Sequence, residues 1–456
     1  MVTQNEKKQG RQVDLLNGNI FLSMLIFAVP ILLSNLFQQL YNTMDTVIVG
    51  NILGETSLAA IGAATPVYDL MIGFALGVGN GLSIVTARSF GSKDMELLKR
   101  SVAVSIVIGA GISLALTAGS RWFLLPFLKL LHTPAEILYE SYHYISMITL
   151  FTFVMFAYNL CAGILWAVGY SFMPLVFLAF SSVLNIGLDF FFISYVHMGV
   201  RGAAVATVLS QGVSVLLCIV YIHRHAKLLV PGKEHFVPDR ALYLEMAAQG
   251  FSMGFMGCIV SAGSAILQVG INGLGFMVIA GHTAARKIYQ FGLMPFVAMV
   301  MAAGTFVSQN YGADQAQRVR KAMKYAYLYN AFLTVALMAV FGLFAPALVQ
   351  MVSGSKEQVV IANGTRYLRV VAPAYFILGL VNDTRTALQS IGQKLLPIVS
   401  SFIELLGKIM FVLLLIPKYQ YNAVIFCEPV IWCFMAAQLL VVFWRHPWIK
   451  GKSDQP

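Results

Sequence analysis

Charge is what this chain has least of. Only 11% of its 456 residues are Asp, Glu, Lys or Arg, against roughly 25% in soluble domains. Acids are the scarcer sign, 19 against 30 Lys and Arg. A sequence so poor in charge and 59% hydrophobic excludes a soluble enzyme and a soluble nucleic-acid binder. The net charge of +11 is read as the basic bias of membrane-protein loops, and no nucleic-acid partner is expected. Cysteine is sparse too. Cys161, Cys218, Cys258, Cys427 and Cys433 fall in apolar runs without metal-ligand spacing, and all five are read as small core residues. There is no Walker loop, no His-Glu metal motif and no Gly-x-Ser-x-Gly elbow. Neither an ATP-driven pump nor a membrane-embedded protease is expected, no enzyme activity is read, and no cofactor is implied. The apolar run after the polar start has no small-residue cleavage site and is read as a retained span.

What is abundant is long apolar runs. A bilayer needs about 20 apolar residues per helix. Such runs fall at 20–50, 58–86, 101–125, 137–167, 173–196, 202–222, 242–272, 276–308, 322–349, 360–390, 396–417 and 421–444. The expectation is an all-α integral membrane protein of about twelve transmembrane helices. With both termini cytoplasmic, 19 Lys and Arg, including Lys7, Lys8, Arg11 and Lys452, lie inside and seven outside. That bias favours this orientation.

The chain repeats itself. ILWAVGYSFMP (164–174) aligns with LQSIGQKLLP (388–397) on Gly169/Gly392 and Pro174/Pro397. SFGSKDMELLKR (89–100) aligns with QNYGADQAQRVRK (309–321) on Gly91/Gly312. Two similar offsets, 223 and 221, imply two pseudo-symmetric six-helix bundles in parallel orientation with a site expected at their interface. The expected division is an N-terminal lobe over 1–222, a cytoplasmic linker over 223–241 and a C-terminal lobe over 242–456. His223, His225 and His235 in the linker are read as solvated.

Polar residues inside the spans mark the candidate site. Ser181, Asn185 and Asp189 recur at a spacing of four and share one helical face. A carboxylate in a bilayer-depth helix is costly and faces protein or water. In the first span Asn35, Gln38, Asn42 and Asp45 are spaced 3, 4 and 3, another polar stripe, flanked by Gln39 and Tyr41. Two acids meeting in a low-dielectric lobe cannot both stay charged cheaply. They would take a proton, or with Asn185 supply hard oxygen ligands to Na⁺; the residues leave both open. Gln38, Tyr41 and Asn42 are read as lining a substrate cavity. Among the many aromatic and Met residues, Tyr158, beside Asn159, suits the same adaptable surface.

The second half differs. Ser400, Glu404 and Lys408 repeat the spacing of four, and Glu404 before Lys408 is a favourable intrahelical pair. Arg286, Lys287, Asp383, Arg385 and Glu428 lie in neighbouring spans. A C-lobe charge network of Arg286, Asp383, Glu404, Lys408 and Glu428 is anticipated. Asp69 has no obvious partner. His282 is read as a core or cavity residue.

QLYNTMDTVIVGNILGETSLAAIGAATPV, ARSFGSKD, LWAVGYSFMPL, LNIGLDFFFI and GVRGAAVATVLSQ resemble the multidrug and toxic compound extrusion (MATE) family over nearly the whole chain. The match is to the branch that includes the DNA-damage-inducible protein F. The resemblance implies twelve helices in two lobes and export of bulky, often cationic compounds driven by H⁺ or Na⁺. It assigns cation coupling to Asp45, Asn185, Asp189 and, by position on the sixth helix, Thr207. The acids that other branches carry on the seventh and tenth helices are not matched: the seventh span is read without one, and Asp383 is out of register. The expected function is a cation-coupled antiporter exporting cationic drugs by alternating access. It is placed in a prokaryotic inner membrane as a monomer. The alternative is a lipid-linked oligosaccharide flippase of the same superfamily. Its anionic substrate calls for basic cavity walls, which the N-terminal spans lack.

Overall fold

The computed structural model describes residues 12–130 and 133–451; Lys7, Lys8, Arg11 and Lys452 lie outside them. The described residues are helical with no strand. In chain order the helices are α1 (Ile20–Leu53), α2 (Glu55–Gly91), α3 (Met95–Leu130), α4 (Ala135–Leu150), α5 (Thr152–Ala167), α6 (Phe172–Phe190), α7 (Val200–His225) and α8 (Arg240–Asn272). Then come α9 (Phe276–Gly312), α10 (Ala316–Ser353), α11 (Gln358–Val371), α12 (Ala374–Ser390), α13 (Leu395–Met410), the short α14 (Ile416–Tyr419), α15 (Tyr421–Arg445) and the short α16 (Pro447–Lys450).

Ten of these elements are long and apolar enough to cross a membrane. The pair α4 and α5, bent by 47°, is long and apolar enough only when taken together as one broken span. The twelfth expected run, 360–390, is likewise broken into α11 and α12 at Ala372 and Pro373. It carries Arg366, Arg369, Asp383 and Arg385, which lower its hydropathy. Proline ends the preceding helix because its ring clashes with the turn before it.

The internal repeat is visible in the backbone. α2 and α9 both end in a turn whose left-handed residue is non-glycine, Lys93 (φ 60°) and Asp314 (φ 54°), 221 positions apart. Matching bonds close the two turns: Ser92 N–H to Arg88 O at 2.9 Å and Ala313 N–H to Gln309 O at 3.0 Å. α5 and α12 end on Gly169 (φ 96°) and Gly392 (φ 93°). Each is followed by a bond at 2.9 Å, Tyr170 to Leu165 O and Gln393 to Leu388 O. α6 and α13 both run on through a wider π turn, Phe191–Tyr195 and Phe411–Leu415.

Contacts divide the described residues into two compact units. One holds 12–14 and Val29–Gly254, the other Leu15–Ala28 and 255–451. By these contacts the chain crosses between the units before Leu15, within α1 after Ala28 and within α8 after Gly254. In the first unit α2 and α8 approach closely at Gly77 and Gly81. A Cβ there would meet Met253 O at 2.6 Å and Gln249 O at 2.7 Å. Gly250 and Gly254 sit opposite, so both helices present small residues four apart, which lets backbones touch in a membrane. Glu245, near the start of α8, pairs with Arg88 at 3.0 Å, so the seventh helix does carry an acid.

Of the three linker histidines, His223 and His225 are exposed, and His225 stacks on Tyr221 with ring centroids 4.8 Å apart. His235 is buried and lies 3.3 Å from Glu96, held by a contact distant in sequence. Of the cysteines, Cys433 is exposed rather than in the core.

Gly54, the residue before α2, has φ 88° and ψ −176°, a region open essentially to glycine. Gly54→Ala is expected to cost about 1–3 kcal/mol through that strain alone. Gly169→Ala adds a clash, because its Cβ would lie 2.6 Å from Val13 O. Thermal unfolding of the purified protein in detergent should rank Gly169→Ala below Gly54→Ala, and both below the parent.

Candidate functional site

α6 is inside out. Its lipid-type residues Phe180, Val183 and Phe190 are exposed, while Ser181, Ser182, Asn185 and Asp189 are buried. The spacing of four puts Ser181, Asn185 and Asp189 along one line, and packing against α7 turns that line inward. Asn185 and Asp189 are both 0% exposed. Neither oxygen of Asp189 and neither polar atom of the Asn185 amide has a hydrogen-bond partner among the described residues. Asp45 of α1 is also buried, and its Oδ1 is likewise unpartnered. The two carboxylates are close enough for their charges to interact. Tyr68 of α2 and Tyr144 of α4 lie within the same electrostatic reach.

Thr207 on α7 is drawn in as well. Tyr41 donates its hydroxyl to Thr207 Oγ1 at 3.1 Å, and Thr207 donates to Ala203 O at 3.0 Å. Tyr41 thereby ties α1 to α7 beside the carboxylates. It also lines a cavity of about 30 Å³ with Gln38, Tyr158, Asn159, Ser181, Ser210 and Gln211. That volume holds about one water. Asn42 is not among the lining residues and is exposed on α1, as is Asp69 on α2.

Sequence reasoning missed Tyr68, Tyr144, Ser210 and Gln211. Gln211, whose buried Oε1 is unpartnered, had a signal: it follows Thr207 by four within an apolar span. The two tyrosines had none, being two among 19 in an aromatic-rich chain.

The second unit answers the same problem differently. α13 is also inside out, burying Ser400, Ser401, Glu404 and Lys408. Its charges join an alternating row across four helices. Arg286 Nη1 lies 2.8 Å from Glu428 Oε2, Glu428 Oε1 lies 3.7 Å from Lys408 Nζ, and Lys408 Nζ lies 2.8 Å from Glu404 Oε1. Arg385 Nη2 closes the row 3.9 Å from Glu404 Oε2. Tyr367 donates to Glu428 at 3.3 Å and receives from Arg286 at 3.1 Å. His282 is buried against Tyr367 and lies 3.2 Å from the Tyr421 hydroxyl. Asp383 stands apart from the row, and Arg385 is the residue of α12 that joins it. Asp383 is 0% exposed and accepts from Asn330 Nδ2 at 2.7 Å, with its Oδ1 unpartnered.

Buried ion pairs are felt most when one partner is removed. Lys408→Met strips both Glu404 and Glu428 of a counter-charge. It should destabilise the protein by about 3–5 kcal/mol, read as a lowered unfolding midpoint in detergent. Lys408→Arg, which keeps the charge, should lose less.

The family model described as MatE matches residues 30–191 and 253–414, the two halves of the repeat. The probable multidrug resistance protein YpnP of Bacillus subtilis (strain 168) is 26% identical over 370 residues, covering 80% of this chain and 82% of that protein. The multidrug export protein MepA of Staphylococcus aureus (strain N315) is 21% identical over 442 residues, covering 93% and 94%. A solved structure described as the outward-facing conformation of a multidrug resistance MATE family transporter is similar with a TM-score of 0.87. Its identity is 23%, over 95% of this chain and 98% of that one.

Proposed function

The chain belongs to the MatE family of multidrug and toxic compound extrusion transporters, and from that premise we propose that it is a cation-coupled antiporter exporting bulky organic cations. The observation that carries this reading is the pair of buried carboxylates in the first unit. Asp189 and Asp45 hold oxygens that no group among the described residues satisfies. An unpaired charge at that depth costs several kcal/mol, so the site demands a partner from outside the chain. A proton on Asp189 satisfies it. A Na⁺ held by oxygens of Asp45, Asn185 and Asp189 does so as well, these being the hard ligands such an ion prefers.

Exchange follows from competition for one charge. With the cation bound, the charge of the carboxylate pair falls from −2 to −1 and the first unit can repack around Tyr41 and Thr207. An incoming organic cation is attracted to the same carboxylates and favours the cation-free state. Each ligand biases the equilibrium only through its different affinity for the two states, and the coupling is reciprocal. That is the requirement for antiport by alternating access. The relatives named for multidrug resistance and multidrug export support a drug-like cargo. The basic residues of the charge row, Arg286, Arg385 and Lys408, each have a carboxylate partner, which supports a cationic substrate over an anionic one. We place the protein as a monomer in the cytoplasmic membrane of a prokaryote, with both termini inside.

Asp189→Asn mimics the protonated carboxyl in shape and removes the exchangeable charge. The variant should insert and fold as the parent does, yet lose drug uptake into inverted vesicles under an imposed pH gradient and under an imposed Na⁺ gradient. The gradient that drives the parent identifies the ion. Uptake by Asp189→Asn at the parental rate would move the coupling site elsewhere, with Asp383 and its unpartnered oxygen next in line.

A further inference from the structure

A second cavity in the first unit is larger and of opposite polarity. It measures about 390 Å³ between the second half of α3, α4 and the first turn of α7, a volume within the usual range of roughly 300–1,000 Å³ for small-molecule pockets. Arg121, His143 and Arg201 line it. We propose that this pocket binds the phosphate headgroup of an anionic membrane lipid.

The basic groups are arranged for an anion. Arg121 and Arg201 have no carboxylate within ion-pair distance among the described residues, whereas Arg88, Arg100, Arg286, Arg385 and Lys408 each have one. Arg201 instead donates from Nη2 to His143 Nδ1 at 2.7 Å. A guanidinium only donates, so Nδ1 accepts and the ring proton sits on Nε2. The imidazole thus adds a donor to the two arginines. The acids of α4 do not face the pocket. Glu136 and Glu140 are absent from its lining, and Glu140 accepts from Ser57 of α2 at 2.5 Å. Arginine forks match phosphate oxygens in pairs.

The depth fits a headgroup. α3 ends and α4 and α7 begin at the end of the bundle where α2 also begins. Trp122, 80% exposed beside Arg121, and the exposed Tyr139 and Tyr195 mark the level at which aromatic side chains sit at a membrane–water boundary. Farther from that level the lining is uncharged, with Thr117, Ser146 and Thr149 among Leu114, Met147 and Leu150, and Leu114 and Leu150 are exposed. The pocket therefore has a cationic end at headgroup level and an uncharged end whose exposed leucines can meet acyl chains.

Native mass spectrometry of the full chain, released from bilayers of mixed phosphatidylglycerol and phosphatidylcholine, tests this. The parent should retain one phosphatidylglycerol in preference to phosphatidylcholine. The double variant Arg121→Gln/Arg201→Gln should retain it about thirtyfold more weakly, the loss of two basic residues' attraction to an anionic lipid. Ala118→Phe, which fills the pocket and leaves both charges, should lose it too. Both variants should still export drug, which separates this result from the antiport reading. Undiminished retention in Ala118→Phe overturns the proposal. So does binding of inorganic phosphate that displaces the lipid from the parent.

Discussion

A carboxylate at bilayer depth must be neutralised, because lipid offers neither water nor counter-charge. The rest of this molecule can be read as two answers to that constraint. Each unit contains one inside-out helix, α6 in the first and α13 in the second, whose polar residues face protein and whose apolar residues face outward. In the second unit two of the acids are answered from within. Glu404 and Glu428 alternate with Arg385, Lys408 and Arg286 in a row that ends on an arginine at either side. In the first unit they are left open. Asp189, Asn185 and one oxygen of Asp45 find no partner among the described residues. The second unit pairs every acid of its row and leaves one oxygen of Asp383 open, while the first is built to be completed by something that comes and goes.

The shared backbone makes the contrast meaningful. The turns at Lys93 and Asp314, the glycines at 169 and 392 and the π turns after α6 and α13 recur with offsets of 220–223. Side chains on this common frame diverge where chemistry is done. Ser181 and Asn185 of α6 occupy the positions that Glu404 and Lys408 hold on α13, by the offset of 223. A polar pair in one half became a charged pair in the other, and the unmatched acid, Asp189, lies one turn beyond.

Much of this was legible in the sequence, and the reasons differ by feature. The spans were legible because about 20 apolar residues in a row have few other uses. Asp189, Asn185 and Asp45 were legible because a helix converts a spacing of three or four into a face. Asn42 belongs to the same stripe, yet it is three residues from Asp45, about 60° around a helix with 3.6 residues per turn. The buried side of α1 extends through Tyr41 and Asp45 and stops short of it. The break in α4–α5 left no trace in hydropathy, which a 47° bend does not change. The burial of His235 depends on Glu96, and the passage between units inside α8 depends on which helices its first half touches. Neither is a property of the local sequence.

The central claim is that Asp189 holds the driving cation and gives it up when an organic cation binds. Purified protein in weakly buffered detergent solution, titrated with a quaternary ammonium or phosphonium drug, reads this without any gradient, using a pH indicator and a Na⁺-selective electrode together. The account predicts release of about one proton or one Na⁺ per drug bound by the parent and none by Asp189→Asn. Equal release from both proteins would contradict it.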